Sequence, residues 1–125
     1  MPAETPPDAT VVGNLFAQAQ APATGERFET LLAHRQLQIE RIVSSADITP
    51  TDYLQPQDEW VLLVRGQASL RVGDSTHALQ AGDHLFIPAG TPHRVESASA
   101  GALWLAVHLH PDVAPTSVSA LVSAT

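Results

Sequence analysis

The sequence predicts an all-β domain, a closed antiparallel barrel or sandwich, and three observations carry that expectation. From residue 36 onward, apolar side chains recur with a period of two. The stretches that show this period are short and evenly spaced, and clusters of Gly, Pro, Asp and Ser separate them. No second helix-rich block and no internal repeat breaks the series, so the 125 residues are expected to form one domain around one core.

Taken in order, residues 1–23 read as an N-terminal arm. Three prolines fall within the first ten residues, Val11 to Phe16 is an apolar patch suited to docking, and Ala17 to Ala23 reads as a linker. Residues 24–33 are expected to form a short helix. Thr24 can cap it, Glu26 and Glu29 favour its N-terminal end, and Phe28, Leu31 and Leu32 share a face at i, i+3, i+4. In the next segment Leu37, Ile39 and Arg41 alternate with Gln38, Glu40 and Ile42, as in a strand. Further strands are expected at 60–65, 67–72, 76–79, 84–87 and 102–109, with a shorter one at 93–97. The barrel domain is placed at 24–112 and a C-terminal tail at 113–125.

One strand carries extra information. Trp60 to Val64 is apolar on both faces, whereas a half-exposed antiparallel strand alternates. If Glu59, Val61 and Leu63 point inward, then Trp60, Leu62 and Val64 need a cover, from the N-terminal arm or from a second subunit. A homodimer is the expectation.

Composition excludes several classes of partner. A net charge of −7 with only six basic residues and no basic cluster speaks against nucleic acid, because phosphate binding needs clustered cations. With no cysteine there is neither a disulfide nor a thiolate metal site. The longest apolar run is far short of the ~20 residues that span a bilayer, so no membrane association is expected. The first residues lack the basic and apolar regions of a signal peptide, and a cytoplasmic location is the expectation.

Two stretches deliver chemistry. Glu59 opens Glu59-Trp60-Val61-Leu62-Leu63-Val64-Arg65-Gly66, and His93 closes Gly82-Asp83-His84-Leu85-Phe86-Ile87-Pro88-Ala89-Gly90-Thr91-Pro92-His93. A glutamate, six residues and a glycine, followed by Gly-x5-Pro-x-Gly-x2-His, resembles the paired motifs of the cupin superfamily. The likeness runs from about Asn14 to His108, through Asn14-Leu15-Phe16, Ile39-Glu40-Arg41-Ile42-Val43-Ser44 and Trp104-Leu105-Ala106-Val107-His108. It is similar to a group of small single-domain bacterial cupins. The resemblance implies a double-stranded β-helix, the cupin or jelly-roll barrel, here with the short N-terminal helix. Metal-binding cupins carry His-x-His four and six residues before the glutamate, where this chain has Gln55 and Tyr53. A site of three histidines and one glutamate therefore cannot form.

The remaining donors define the candidates. His93 supplies an imidazole, a common ligand of Zn, Fe, Ni and Mn. Glu59 begins an otherwise apolar strand, where a carboxylate is costly unless it meets a metal or a hydrogen-bond donor. Gln55 can offer an amide oxygen to the same ion, or can hydrogen-bond Glu59 or a substrate. Tyr53 shares the Gln55 face and can orient a ligand. If Trp104, Ala106 and His108 point into the barrel, Trp104 can stack on a ligand and His108 becomes a third ligand or an acid–base partner. Gln55, Glu59 and His93 are thus the candidate metal ligands, Glu59 and His108 the candidate catalytic groups, and Tyr53 and Trp104 the candidate substrate contacts. His34, His77 and His84 have no supporting context and are expected to be exposed. Three functions compete: a metal-dependent enzyme acting on a small polar molecule, a non-catalytic small-ligand-binding cupin, and a purely structural or regulatory cupin dimer.

Overall fold

The computed structural model describes residues 7–112, so the proposed tail and the first residues of the arm lie outside the described residues. Eight strands follow one another: β1 (Glu26–His34), β2 (Leu37–Ser44), β3 (Asp58–Arg65), β4 (Gln67–Val72), β5 (Ser75–Gln80), β6 (His84–Ile87), β7 (His93–Ala98) and β8 (Ala102–Leu109). They form two antiparallel sheets, one of five strands in the order β1-β2-β8-β3-β6 and one of three in the order β5-β4-β7. Ile42, Val61, Leu63, Ile87, Trp104 and Ala106 from the first sheet meet Ala68, Leu70 and Leu79 from the second, and together they make the main core. The fold is the all-β jelly-roll barrel that the sequence predicts.

The expected helix at 24–33 is a strand. β1 pairs antiparallel with β2 from Glu26↔Ser44 to His34↔Leu37, and the described residues contain no helix. The error has a local cause. A bulge between Thr30 and Leu32 leaves Leu31 without a partner on β2, so the strand alternation slips by one residue there. Apolar residues at 28, 31 and 32 then mimic helical spacing. Glu26, assigned to a helix N-terminus from sequence, instead lines the barrel interior.

Register decides which face of each strand is internal. Gln38, Glu40 and Ile42 on β2 lie opposite His108, Ala106 and Trp104 on β8, which lie opposite Glu59, Val61 and Leu63 on β3. Leu37, Ile39 and Arg41 therefore face out. Arg41 is nonetheless only 5% exposed, because the N-terminal arm lies over it.

The arm is fastened by arginines rather than by apolar contacts alone. Arg41 Nη1 donates to the carbonyls of Leu15 and Ala17, Arg27 Nη2 to those of Gln18 and Gln20, and Arg65 Nη2 to that of Ala19. Backbone carbonyls that would be unsatisfied along an irregular segment thus find charged donors. Beneath them Leu15 and Ala19 pack on Val43, Val64 and Leu103. Val11, Val12 and Phe16 stay exposed, so only part of the expected apolar patch docks, and part of the expected linker docks with it. The arm covers the Val64 end of the outer face of β3. Trp60, ring-to-ring with His84 at 5.4 Å, Phe86 at 56% exposure and Leu109 at 55% lie beyond it.

The close approach of β8 explains one motif glycine. Gly66 has φ +92°, and a Cβ there would lie 2.7 Å from Ser99 Oγ and 3.0 Å from Ala102 Cα. Only glycine fits the turn between β3 and β4.

Candidate functional site

Pairing of β2, β8 and β3 in one sheet, with β7 of the other sheet bridged to Tyr53, brings the candidate residues to one cavity of about 70 Å³ inside the barrel. Tyr53, Gln55, Glu59, His93, Trp104 and His108 all line it. Ile42, Val61, Leu70 and Ile87 supply the apolar wall.

His93 is held from three sides. Its backbone pairs with Tyr53, N to O at 2.8 and 3.0 Å, and the two rings stack at 5.9 Å. Its Nδ1 lies 3.1 Å from the carbonyl of Thr91, an atom that can only accept, so Nδ1 carries the proton in the neutral ring. Nε2 is left to face the cavity. There it lies 3.4 Å from Glu59 Oε1 and 3.5 Å from the Gln55 amide nitrogen. The loop that carries Gln55 is pinned by Gly90 N–H donating to the Gln55 carbonyl at 2.8 Å.

Glu59 is 6% exposed. Burial alone would raise its carboxyl, but the hydrogen bond to His93, the charge of His108 and a 2.9 Å hydrogen bond from Gln55 Nε2 bring it below the usual glutamate value. His93 moves the other way. Burial alone would lower it, and the hydrogen bond and charge of Glu59, with the Thr91 carbonyl, raise it above an ordinary histidine. Each thus favours the charged form of the other, a buried carboxylate facing an imidazole 3.4 Å away.

A second pair stands on the opposite strand. His108 Nε2 lies 3.1 Å from Glu40 Oε1, and Gln57 Nε2 lies 3.4 Å from His108 Nδ1. Burial lowers the His108 pKa, but Glu40 and the charge of Glu59 outweigh it, so the net direction is upward. His110 stacks on the far side of the His108 ring at 6.0 Å and lies 2.8 Å from Gln38 Oε1 through Nε2.

Trp104 points inward with His108, at 2% exposure, and its ring lines the cavity. Its indole N–H is already engaged, donating to Ser44 Oγ at 3.0 Å, while Ser44 Oγ donates to Glu26 Oε2 at 2.6 Å. Three lining residues escaped the sequence reading: Glu26, Phe28 and Glu40. Glu40 could have been found from its phase, since it shares the alternation of Ile42, but alternation does not say which phase is internal. Of the three histidines without context, His77 and His84 are exposed, whereas His34 is half-buried, with no hydrogen-bond partner for its Nδ1.

The donors at the motif fit a cation in a limited way. Among the described residues no three His, Asp or Glu side chains gather into a metal-binding group. Glu59 Oε1, His93 Nε2 and the Gln55 amide nevertheless form a triangle with edges of 2.9, 3.4 and 3.5 Å. Ligands about 2.1 Å from one ion are separated by roughly 3.0–3.4 Å, so the triangle has the dimensions of one coordination face. Turning the Gln55 amide presents its oxygen in place of its nitrogen. A donor set of two strong ligands and one weak one would hold a cation only at low affinity, with open positions.

Comparisons with known proteins point the same way on fold. The family model for the cupin domain matches residues 39–111. A protein from Ralstonia eutropha JMP134 described as a "putative mannose-6-phosphate isomerase" is 38% identical, over 81% of this chain and 99% of that one, with a TM-score of 0.71. A conserved Streptococcus pyogenes protein of unknown function superposes equally well, at 20% identity over 90% of this chain and 98% of that one. An RmlC-like cupin from Shewanella frigidimarina, 16% identical over 74% and 82% of the two chains, has a TM-score of 0.65. No curated protein matches the sequence.

Proposed function

The chain belongs to the cupin family, and from that premise we propose that its barrel cavity binds a small polar molecule beside a weakly held divalent cation, with Gln55, Glu59 and His93 as the cation's protein ligands. The observation that carries the reading is the donor triangle, in which an imidazole nitrogen, a carboxylate oxygen and an amide lie within 3.5 Å of one another. When bound, the cation would supply Lewis acidity at its open positions. The chain's own residues do the rest. Tyr53 backs the His93 ring, Trp104 presents an apolar ring at the wall, and Glu59 and His108, cross-strand neighbours on β3 and β8, can accept or return a proton.

A second reading, a ligand-binding cupin without catalysis, rests on a separate observation. Each imidazole already has a carboxylate partner, Glu59 for His93 and Glu40 for His108, so both imidazoles are paired without a cation. Equilibrium dialysis of tag-free protein against Mn²⁺, Ni²⁺ and Zn²⁺ separates the two. The cation reading predicts one equivalent bound, lost in His93→Ala; binding below one equivalent and indifferent to that substitution supports the second.

The homodimer is part of the same proposal. The outer face of β3 and β6 beyond the arm, with Trp60, Phe86 and the neighbouring Leu109 of β8, is where a second copy would sit.

A further inference from the structure

Resting on the reading of the cavity as a small-molecule site, we infer that its ligand is a small organic cation, a protonated amine with a short apolar body, and that phosphate esters are excluded. Three carboxylates line the cavity, Glu26, Glu40 and Glu59, against two imidazoles, His93 and His108. Even with both imidazoles protonated one negative charge is left over, and a divalent ion together with one imidazolium would only neutralise the three.

No permanently cationic side chain makes up the difference. The chain has six arginines and no lysine, and no arginine lines the cavity. Arg27, Arg41 and Arg65 hold the carbonyls of the arm, Arg71 holds the carbonyl of Gly73, and Arg94 pairs with Glu96 and Asp52. A phosphate dianion would enter with no guanidinium or ammonium to meet it and with carboxylates on several sides. Phosphate recognition relies on such groups.

Glu26 shows what the cavity does accept. It lies beside Glu40, receives a hydrogen bond from the Ser44 hydroxyl, and has no ion pair among the described residues. Burial and the neighbouring Glu40 charge push its carboxyl upward, an uncompensated cost that an ammonium group would relieve. Phe28 and Trp104 line the same space, and aromatic faces attract a cation that a dianion cannot replace. Ile42 and Leu70 accommodate an alkyl body. At about 70 Å³ the space suits a ligand of about five heavy atoms, since one water takes about 10–15 Å³ of such space.

The hydrogen-bonded chain Trp104 Nε1–H to Ser44 Oγ to Glu26 Oε2 provides a built-in reporter. An ammonium drawn to Glu26 perturbs the Trp104 indole proton through Ser44. The test is a titration of the ¹⁵N-labelled full chain with n-propylammonium, n-propanol and methyl phosphate, with EDTA and again with one equivalent of Zn²⁺. Trp60→Phe, on the outer face, assigns the two indole signals. The expected result is saturable movement of the Trp104 signal with n-propylammonium, none with methyl phosphate, and about tenfold weaker amine binding in Glu26→Gln. Should Glu26→Gln fail to fold, Glu40→Gln is expected to weaken the amine in the same direction. Methyl phosphate binding as tightly as the amine, or amine binding unchanged in a folded Glu26→Gln, overturns the inference while leaving the cavity a ligand site. If none of the three probes moves any cavity signal, the small-molecule reading falls and this inference with it.

Discussion

Glu59 and His93 come from β3 and the first residue of β7, yet Glu59 Oε1 and His93 Nε2 lie 3.4 Å apart in a cavity where both are more than nine-tenths buried. Burial works against both charges, and the stabilisation each gives the other, with His108 and Gln55 at Glu59 and the Thr91 carbonyl at His93, outweighs it. The pair persists without a cation. It also competes with one, because a ligating imidazole must be neutral.

Gln55 is the weak corner of the donor triangle. Gln55→His would put an imidazole where an amide now stands, 2.9 Å from Glu59 Oε1. Calorimetric titration with Zn²⁺ is expected to show affinity raised by about tenfold or more, since imidazole is a far better ligand than an amide. Unchanged affinity would mean that position 55 does not face the ion.

The second pair should be visible in stability against pH. The folded-state pKa of His108 is raised from 6.5, so protonated His108 contributes stability that is fully present below the unfolded value and lost as pH rises through the folded one. Glu59, lowered from 4.5, contributes stability present above that value and lost as pH falls through its folded pKa. Thermal melts of His108→Gln should therefore fall furthest below wild type near pH 6 and approach it near pH 9. A deficit that grows on the alkaline side would show that Glu40 is not charging His108.

Gly66 tests the close approach of β8. Gly66→Ala is expected to cost about 2–4 kcal/mol in chemical denaturation, combining a positive φ with a clash against Ser99 and Ala102. Gly90→Ala, at φ +77° with nothing within 4 Å, should cost only about 1 kcal/mol. Equal costs would remove the packing argument.

The outer face of β3 and β6 decides the oligomeric state. Sedimentation of wild type is expected to give a dimer of the 13.2 kDa chain, and Trp60→Glu with Phe86→Glu a folded monomer. A wild-type monomer at high concentration would mean that the arm, with Leu15 and Ala19, covers as much of this face as the protein needs covered.

Much of this architecture was legible in the residues. The strands at 67–72, 84–87 and 102–109 have the bounds that alternation and turn residues assign them. Glu59 and His93 were marked by their spacing to glycines and prolines. What escaped did so for physical reasons. The bulge at Leu31 disguised β1 as a helix, because one unpaired residue converts a period of two into apparent helical spacing. Glu26 escaped with the misread helix, and Glu40 because strand alternation leaves the internal face undecided until pairing partners are known. The fastening of the arm escaped because the arginines bind backbone carbonyls, which carry no residue identity.

The most direct test of the donor triangle is paramagnetic. Mn²⁺ added substoichiometrically to the ¹⁵N-labelled protein broadens the amides nearest to it. The account predicts loss of signal centred on Gln55, Glu59 and His93, fading outward through the barrel, and absent in His93→Ala. Broadening centred instead on exposed carboxylates such as Asp52 and Asp74, and unchanged in His93→Ala, would contradict it.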